Sequence, residues 1–198
     1  MAKPREIENL DADMPFAEAA AATVAVRAEE LFEHSANVLD TSDIERVHDM
    51  RVASRRLRAV LEIYAPCFPK AQFRPLLREV KAVADALGER RDPDVLIDRL
   101  EKLEAVLPKA ATPGIEAFAA PVREEQGRGN DVLAAALADA ERTDLRGRLA
   151  ALAASAVAPP DARDDEDGGA PAAEPAPPRE AAPVDVLDGG APEPEAAA

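Results

Sequence analysis

From residue 16 to residue 107, apolar side chains recur three, four and seven positions apart, and nowhere do they alternate. Val24, Leu31 and Val38 stand exactly one heptad apart, with Phe32 and Leu39 beside them. That period matches the 3.6-residue helical turn and excludes half-buried strands, whose side chains alternate at period two. Aromatic residues are 3% of the chain and Trp is absent, so Ala, Leu and Val must build the core, which suits closely packed helices. The spacing predicts a first helix over residues 16–39. Ser42 or Asp43 caps a second, over residues 44–65, which Pro66 and Pro69 stop. A third covers residues 71–87 and ends at Gly88 as a left-handed cap. Asp92 caps a fourth, with Pro93 in its first position, running to residue 107. A fifth over residues 115–140 is expected to be interrupted near Gly127-Arg128-Gly129, and a sixth covers residues 145–157. The expected fold is all-α: an antiparallel four-helix bundle over residues 16–107, then an incomplete second helical unit over residues 112–157.

Outside these helices, residues 1–15 read as a polar leader, without the apolar run of a signal peptide. No apolar stretch is long enough to cross a bilayer, so no membrane partner is expected. Nine of the 18 prolines follow Ala158, among Ala, Gly, Asp and Glu. Residues 158–198 therefore read as a disordered acidic tail that buries too little apolar surface to offset its ordering entropy. Cys67 is the sole cysteine, which excludes an internal disulfide and a cysteine zinc site and suits a reducing, cytoplasmic setting. Its neighbours Pro66 and Phe68 make it a packed small hydrophobe.

The formal charge of −15 hides a strong asymmetry. Residues 43–91 carry 11 basic and 7 acidic groups, whereas residues 159–198 carry 2 and 11. Potentials follow nearby charge, since screening acts within about 10 Å, so an acidic protein can still present one cationic surface. At about 100° per residue, His48, Arg51, Arg55 and Arg58 lie within about 80° on the second helix. Met50, Leu57, Leu61 and Tyr64 form a neighbouring apolar face, and Arg56 points elsewhere. A solvated helix commonly interleaves signs; this one concentrates arginine, whose planar fork donates two hydrogen bonds to a phosphate. Arg74, Arg78 and Lys81 repeat the theme on the third helix, and Arg90 and Arg91 follow Gly88. Antiparallel neighbours could turn both basic faces into one groove. The plain alternative is that these charges simply face solvent.

The segment His48-x-x-Arg51-Val52-x-x-Arg55-Arg56-x-Arg58, followed by Leu87-Gly88-x-x-Arg91-Asp92-x-Asp94-Val95, resembles the two signatures of the CHAD family, the conserved histidine α-helical domain. The resemblance implies two four-helix units related by pseudo-symmetry, binding of inorganic polyphosphate by basic residues between them, and association with polyphosphate granules. It implies phosphate ligands at His48, Arg51, Arg55 and Arg58, a further candidate at Arg91, and a basic position at Lys81. Arg56 matches the motif but not the helical phase. The second histidine–arginine helix that the family would place in the second unit is missing: from residue 145 to the acidic tail the sequence offers only Arg146 and Arg148. The second unit therefore reads as truncated, with a homodimer one way to restore the missing half.

The expected function is non-catalytic polyphosphate binding, with no metal and no cofactor. The alternative is a degenerate remnant with a structural or protein-interaction role. Nucleic acid is disfavoured because no aromatic residues interleave with the arginines. Catalysis is disfavoured because no G-x-x-x-x-G-K loop and no nucleophile or metal cluster accompanies them.

Overall fold

Five α-helices and two single-turn 3₁₀ segments make up the computed structural model, which describes residues 3–8 and 10–157. The expected tail lies outside the described residues. The helices are α1 (Phe16–Glu33), α2 (Ile44–Ile63), α3 (Lys70–Val106), α4 (Thr112–Arg142) and α5 (Leu145–Ala154). No strand occurs among the described residues, and the all-α class stands. No helix there is long and apolar enough to cross a membrane.

α1 stops earlier than its periodicity suggests. The Ser35 hydroxyl donates to the Phe32 carbonyl at 2.7 Å, and Asn37 takes a left-handed φ of 55°. Local polar side chains thus compete with the helical ladder, although Val38 still enters the core. α2 begins where Asp43 caps it, accepting from the Glu45 amide at 3.2 Å.

Residues 88–93 do not separate two helices, as their sequence suggests. Gly88 does not end a helix, Asp92 does not cap one, and Pro93 is not a first position: all lie inside the 37-residue α3. The third and fourth expected helices are one rod. Pro93 cannot donate to the Glu89 carbonyl, which should break the ladder. Two features compensate. Arg90 and Asp94, fully buried, form an ion pair that straddles the proline. The Glu89 carbonyl, in turn, is covered by the backbone of α4 at Gly129, where an added Cβ would lie 3.0 Å from that oxygen. Gly129 therefore does not interrupt α4 either. It is the contact point that allows α3 and α4 to approach closely.

The core is continuous across these elements. Val24 and Leu31 of α1, Met50, Leu57 and Leu61 of α2, and Val80 and Leu87 of α3 share one cluster with Leu133 of α4 and Leu145, Leu149 and Leu152 of α5. The two arginines of α5 serve this packing. Arg146 pairs with Glu29 of α1, and Arg148 donates to Glu79 of α3 at 2.8 and 2.9 Å. At the other end of the chain, the leader is docked rather than loose: Arg5 pairs with Glu33 at 2.8 Å, and Arg27 donates to the Arg5 carbonyl at 3.0 Å. Cys67 is fully buried, and burial pushes its thiol pKa up, as suits a packing residue.

Candidate polyanion-binding groove

α2 and α3 run antiparallel. Arg91, midway along α3, donates to the Ile44 carbonyl at the start of α2 at 3.0 Å, while Lys81, one stretch earlier, pairs with Glu62 near the end of α2 at 3.1 Å. Between these ties lies an open groove of about 610 Å³. Arg51, Arg55 and Arg58 form one wall; Ala84, Asp85, Gly88 and Glu89 of α3 form the other. The three arginines sit on successive turns because the apolar face of α2, Val47, Met50, Leu57 and Leu61, is buried and turns them outward. They span about 10 Å along the axis.

These three cations differ from most others in the protein. Arg27, Arg46, Arg90, Arg91, Arg123, Arg142, Arg146 and Arg148 all engage carboxylates. Among the described residues, no ion pair or hydrogen bond engages the side chain of Arg51, Arg55 or Arg58; the Ser54 hydroxyl donates only to the Arg51 backbone carbonyl, at 2.8 Å. Three like charges held on one helical face repel one another, a few tenths of a kcal/mol for each i,i+4 pair. An anion in the groove would relieve that repulsion.

The other sequence-derived candidates are dispersed. His48, half-buried, lies with Glu45 and Asp49 in a cluster whose ligand-type atoms fall within 4.8 Å of one another. It thus has acids beside it at the entrance to the stripe. Arg91 is already used: besides Ile44 it approaches Glu45 at 3.8 Å and is only 14% exposed. Arg56 lines a separate shallow depression with Val52, Arg55 and Ala59. Arg74 and Arg78 are exposed on α3, in line with Lys81 but beyond the groove. The groove's second wall is consequently acidic, supplied by Asp85 and Glu89, rather than basic as the antiparallel pairing of stripes suggests. Helical phase identified the arginine face; it carried no information about which turn of α3 would stand opposite.

The α3–α4 contact below the groove holds a buried polar network that sequence reading missed. Arg90 Nε donates to Asn130 Oδ1 at 3.1 Å, Gln126 donates to Asp94 Oδ1 at 2.7 Å, and Asn130 donates to the Leu39 carbonyl at 3.2 Å. Burial lowers the Arg90 pKa, as does the adjacent Arg91 charge, but a guanidinium keeps its proton. The available signal was the i,i+4 spacing of Arg90 and Asp94, masked by the proline between them.

An all-helical chain with an arginine-walled groove on its second helix is the class that these features define. The family model for the CHAD domain matches residues 22–187, and the chain belongs to that family. The crystal structure of the CHAD domain from the plant Ricinus communis is similar, with a TM-score of 0.57 and 25% sequence identity. The match covers 78% of this chain and 52% of that one, so this chain spans about half the length of its structural relative. No curated protein matches it.

Proposed function

We propose that the protein is a non-catalytic binder of inorganic polyphosphate, held along the Arg51–Arg55–Arg58 face of α2. The observation that carries this reading is the row of three arginine side chains, without carboxylate partners among the described residues, beside an open groove. Arginine donates bidentate, charge-assisted hydrogen bonds to phosphate oxygens, each worth about 1.5–3 kcal/mol before entropic costs. A flexible chain of phosphates can follow the roughly two helical turns from Arg51 to Arg58 without a shaped pocket. Membership of the CHAD family supports the same ligand, through the resemblance already drawn. The absence of aromatic residues along the stripe favours a polyphosphate chain over single-stranded nucleic acid, which would gain from stacking. A cytoplasmic location at polyphosphate granules is the setting this reading suggests.

The test is equilibrium binding of long-chain polyphosphate to the parent and to an Arg51→Glu, Arg55→Glu, Arg58→Glu variant of matched helicity. The reading expects the parent to bind and the variant to lose binding by at least 100-fold. Equal binding by the two would overturn it.

A further inference from the structure

The buried core ends near Leu87 on α3 and Leu133 on α4. Beyond it the two helices continue as a hairpin arm, residues 90–129, packed chiefly on each other. Arg90, Asp94 and Ile97 of α3 meet Ala119, Val122 and Gly129 of α4 along one buried seam. A second apolar stripe is left uncovered. Leu96, Leu100, Leu103 and Leu107 follow a four-three-four spacing and lie roughly 100° round α3 from that seam. Leu96 is 37% exposed, Leu103 45% and Leu107 41%.

Phe118 of α4 is 57% exposed. Nearer the core, Glu89 stands one heptad before Leu96, and Val132 two heptads after Phe118. Those two residues line one apolar groove of about 500 Å³ between α3 and α4. One heptad shifts helical phase by only about 20° and two by about 40°, which sets the Leu stripe and Phe118 toward that side of the arm. A monomer rarely presents so many large apolar groups on one face without a use for them.

We propose that a second copy of this chain covers the face, the two hairpin arms packing as an intermolecular four-helix bundle. Charge selects this occupant. The protein carries −15, so copies repel one another on average. Residues 95–128 are nearly neutral, with five basic and six acidic groups interspersed in sign, so two copies of the arm can meet without net repulsion. Arg99 and Arg128 are available to meet Glu101, Glu104, Glu124 and Glu125 of another copy, whereas Arg123 is already paired with Glu116 at 2.8 Å. The groove nearer the core, by contrast, is rimmed by Glu79, Asp85, Glu89 and Asp139, so contact between copies belongs at the distal arm. Four-three-four leucine spacing is the pattern by which helices interlock as knobs into holes.

The proposal does not depend on polyphosphate, and its test contains none. Light scattering on the full chain should give about twice the 21.0 kDa monomer mass, and the melting temperature should rise with protein concentration. A Leu96→Glu, Leu103→Glu, Phe118→Glu variant should halve the mass while keeping its helical circular dichroism. Ile63→Glu, at a 62% exposed position on α2, should leave the dimer intact. If the triple variant loses helicity, Leu103→Glu alone reads the same effect. A parent that stays monomeric at about 200 μM, with a concentration-independent melt, overturns the proposal. So does a dimer that survives the substitutions. A monomer with slow hydrogen exchange throughout residues 96–118 would overturn it too, and would assign the face to another part of the same chain.

Discussion

Replacing Asp94 by alanine should be among the most damaging single substitutions in the protein. Asp94 and Arg90 are both 0% exposed and form an ion pair, and Gln126 donates to the same carboxylate oxygen at 2.7 Å. The substitution leaves the Arg90 guanidinium buried with only the Asn130 side-chain oxygen as partner. Breaking a buried ion pair from one side costs about 3–5 kcal/mol. It also unclamps the helical turn that carries Pro93. The double substitution Arg90→Met, Asp94→Leu should behave differently. Arg90 Nη2 and Asp94 Oδ2 are buried without hydrogen-bond partners among the described residues, so the pair repays its desolvation incompletely. Removing both charges should cost less than about 2 kcal/mol, or stabilise. Urea denaturation of parent, single and double variants at pH 7 measures this directly. A loss below about 1 kcal/mol for Asp94→Ala, or a double variant less stable than either single one, would refute the reasoning.

Two glycines two residues apart on α4 should respond with opposite signs. Gly129→Ala places a methyl group 3.0 Å from the Glu89 carbonyl oxygen and 3.1 Å from Arg90 Cα, so it should cost about 1–3 kcal/mol despite alanine's better helix propensity. Gly127→Ala meets nothing within 4 Å and should stabilise by about 0.5–1 kcal/mol in the same urea assay. Glu79 is held below its ordinary carboxyl pKa, first by hydrogen bonds from Arg148 and then from Thr143, against opposing burial. Its contribution is therefore present above the unfolded value of 4.5 and is lost as pH falls below it, so Glu79→Gln should flatten the acid limb of a stability–pH profile. Asp85→Asn with Glu89→Gln neutralises the acidic wall of the groove and should tighten polyphosphate binding several-fold at low salt, read by titration; weaker binding would show that these acids do not oppose the anion.

Helical phase was the most legible property of this sequence. The apolar period gave the all-α class and the outward face of α2, and Asp43 capped α2 as its side chain suggests. The punctuation misled where tertiary contacts overrode it. Gly88 and Pro93 look like a helix end and a helix start, yet a buried ion pair around Pro93 and the close backbone approach of Gly129 across from it carry α3 through both. Propensity describes an isolated segment, and such a segment cannot report a clamp provided by α4, about 35 residues further on. The arginine stripe was readable because it belongs to one helix. The Asp85–Glu89 wall was not, because facing depends on the rotation and stagger of two. Arg91 carries the motif match, but its contacts to Ile44 and Glu45 tie α3 to the start of α2.

The salt dependence of polyphosphate binding tests the central claim most directly. If three arginines neutralise phosphates, the logarithm of the association constant should fall linearly with the logarithm of salt concentration, with a slope of about −2 to −3, given about 0.7–0.9 per neutralised charge on nucleic acids. Arg55→Gln should bind more weakly and reduce that slope by about one. No binding by the folded protein at low salt, or binding whose slope is unchanged by removing Arg55, would contradict the account.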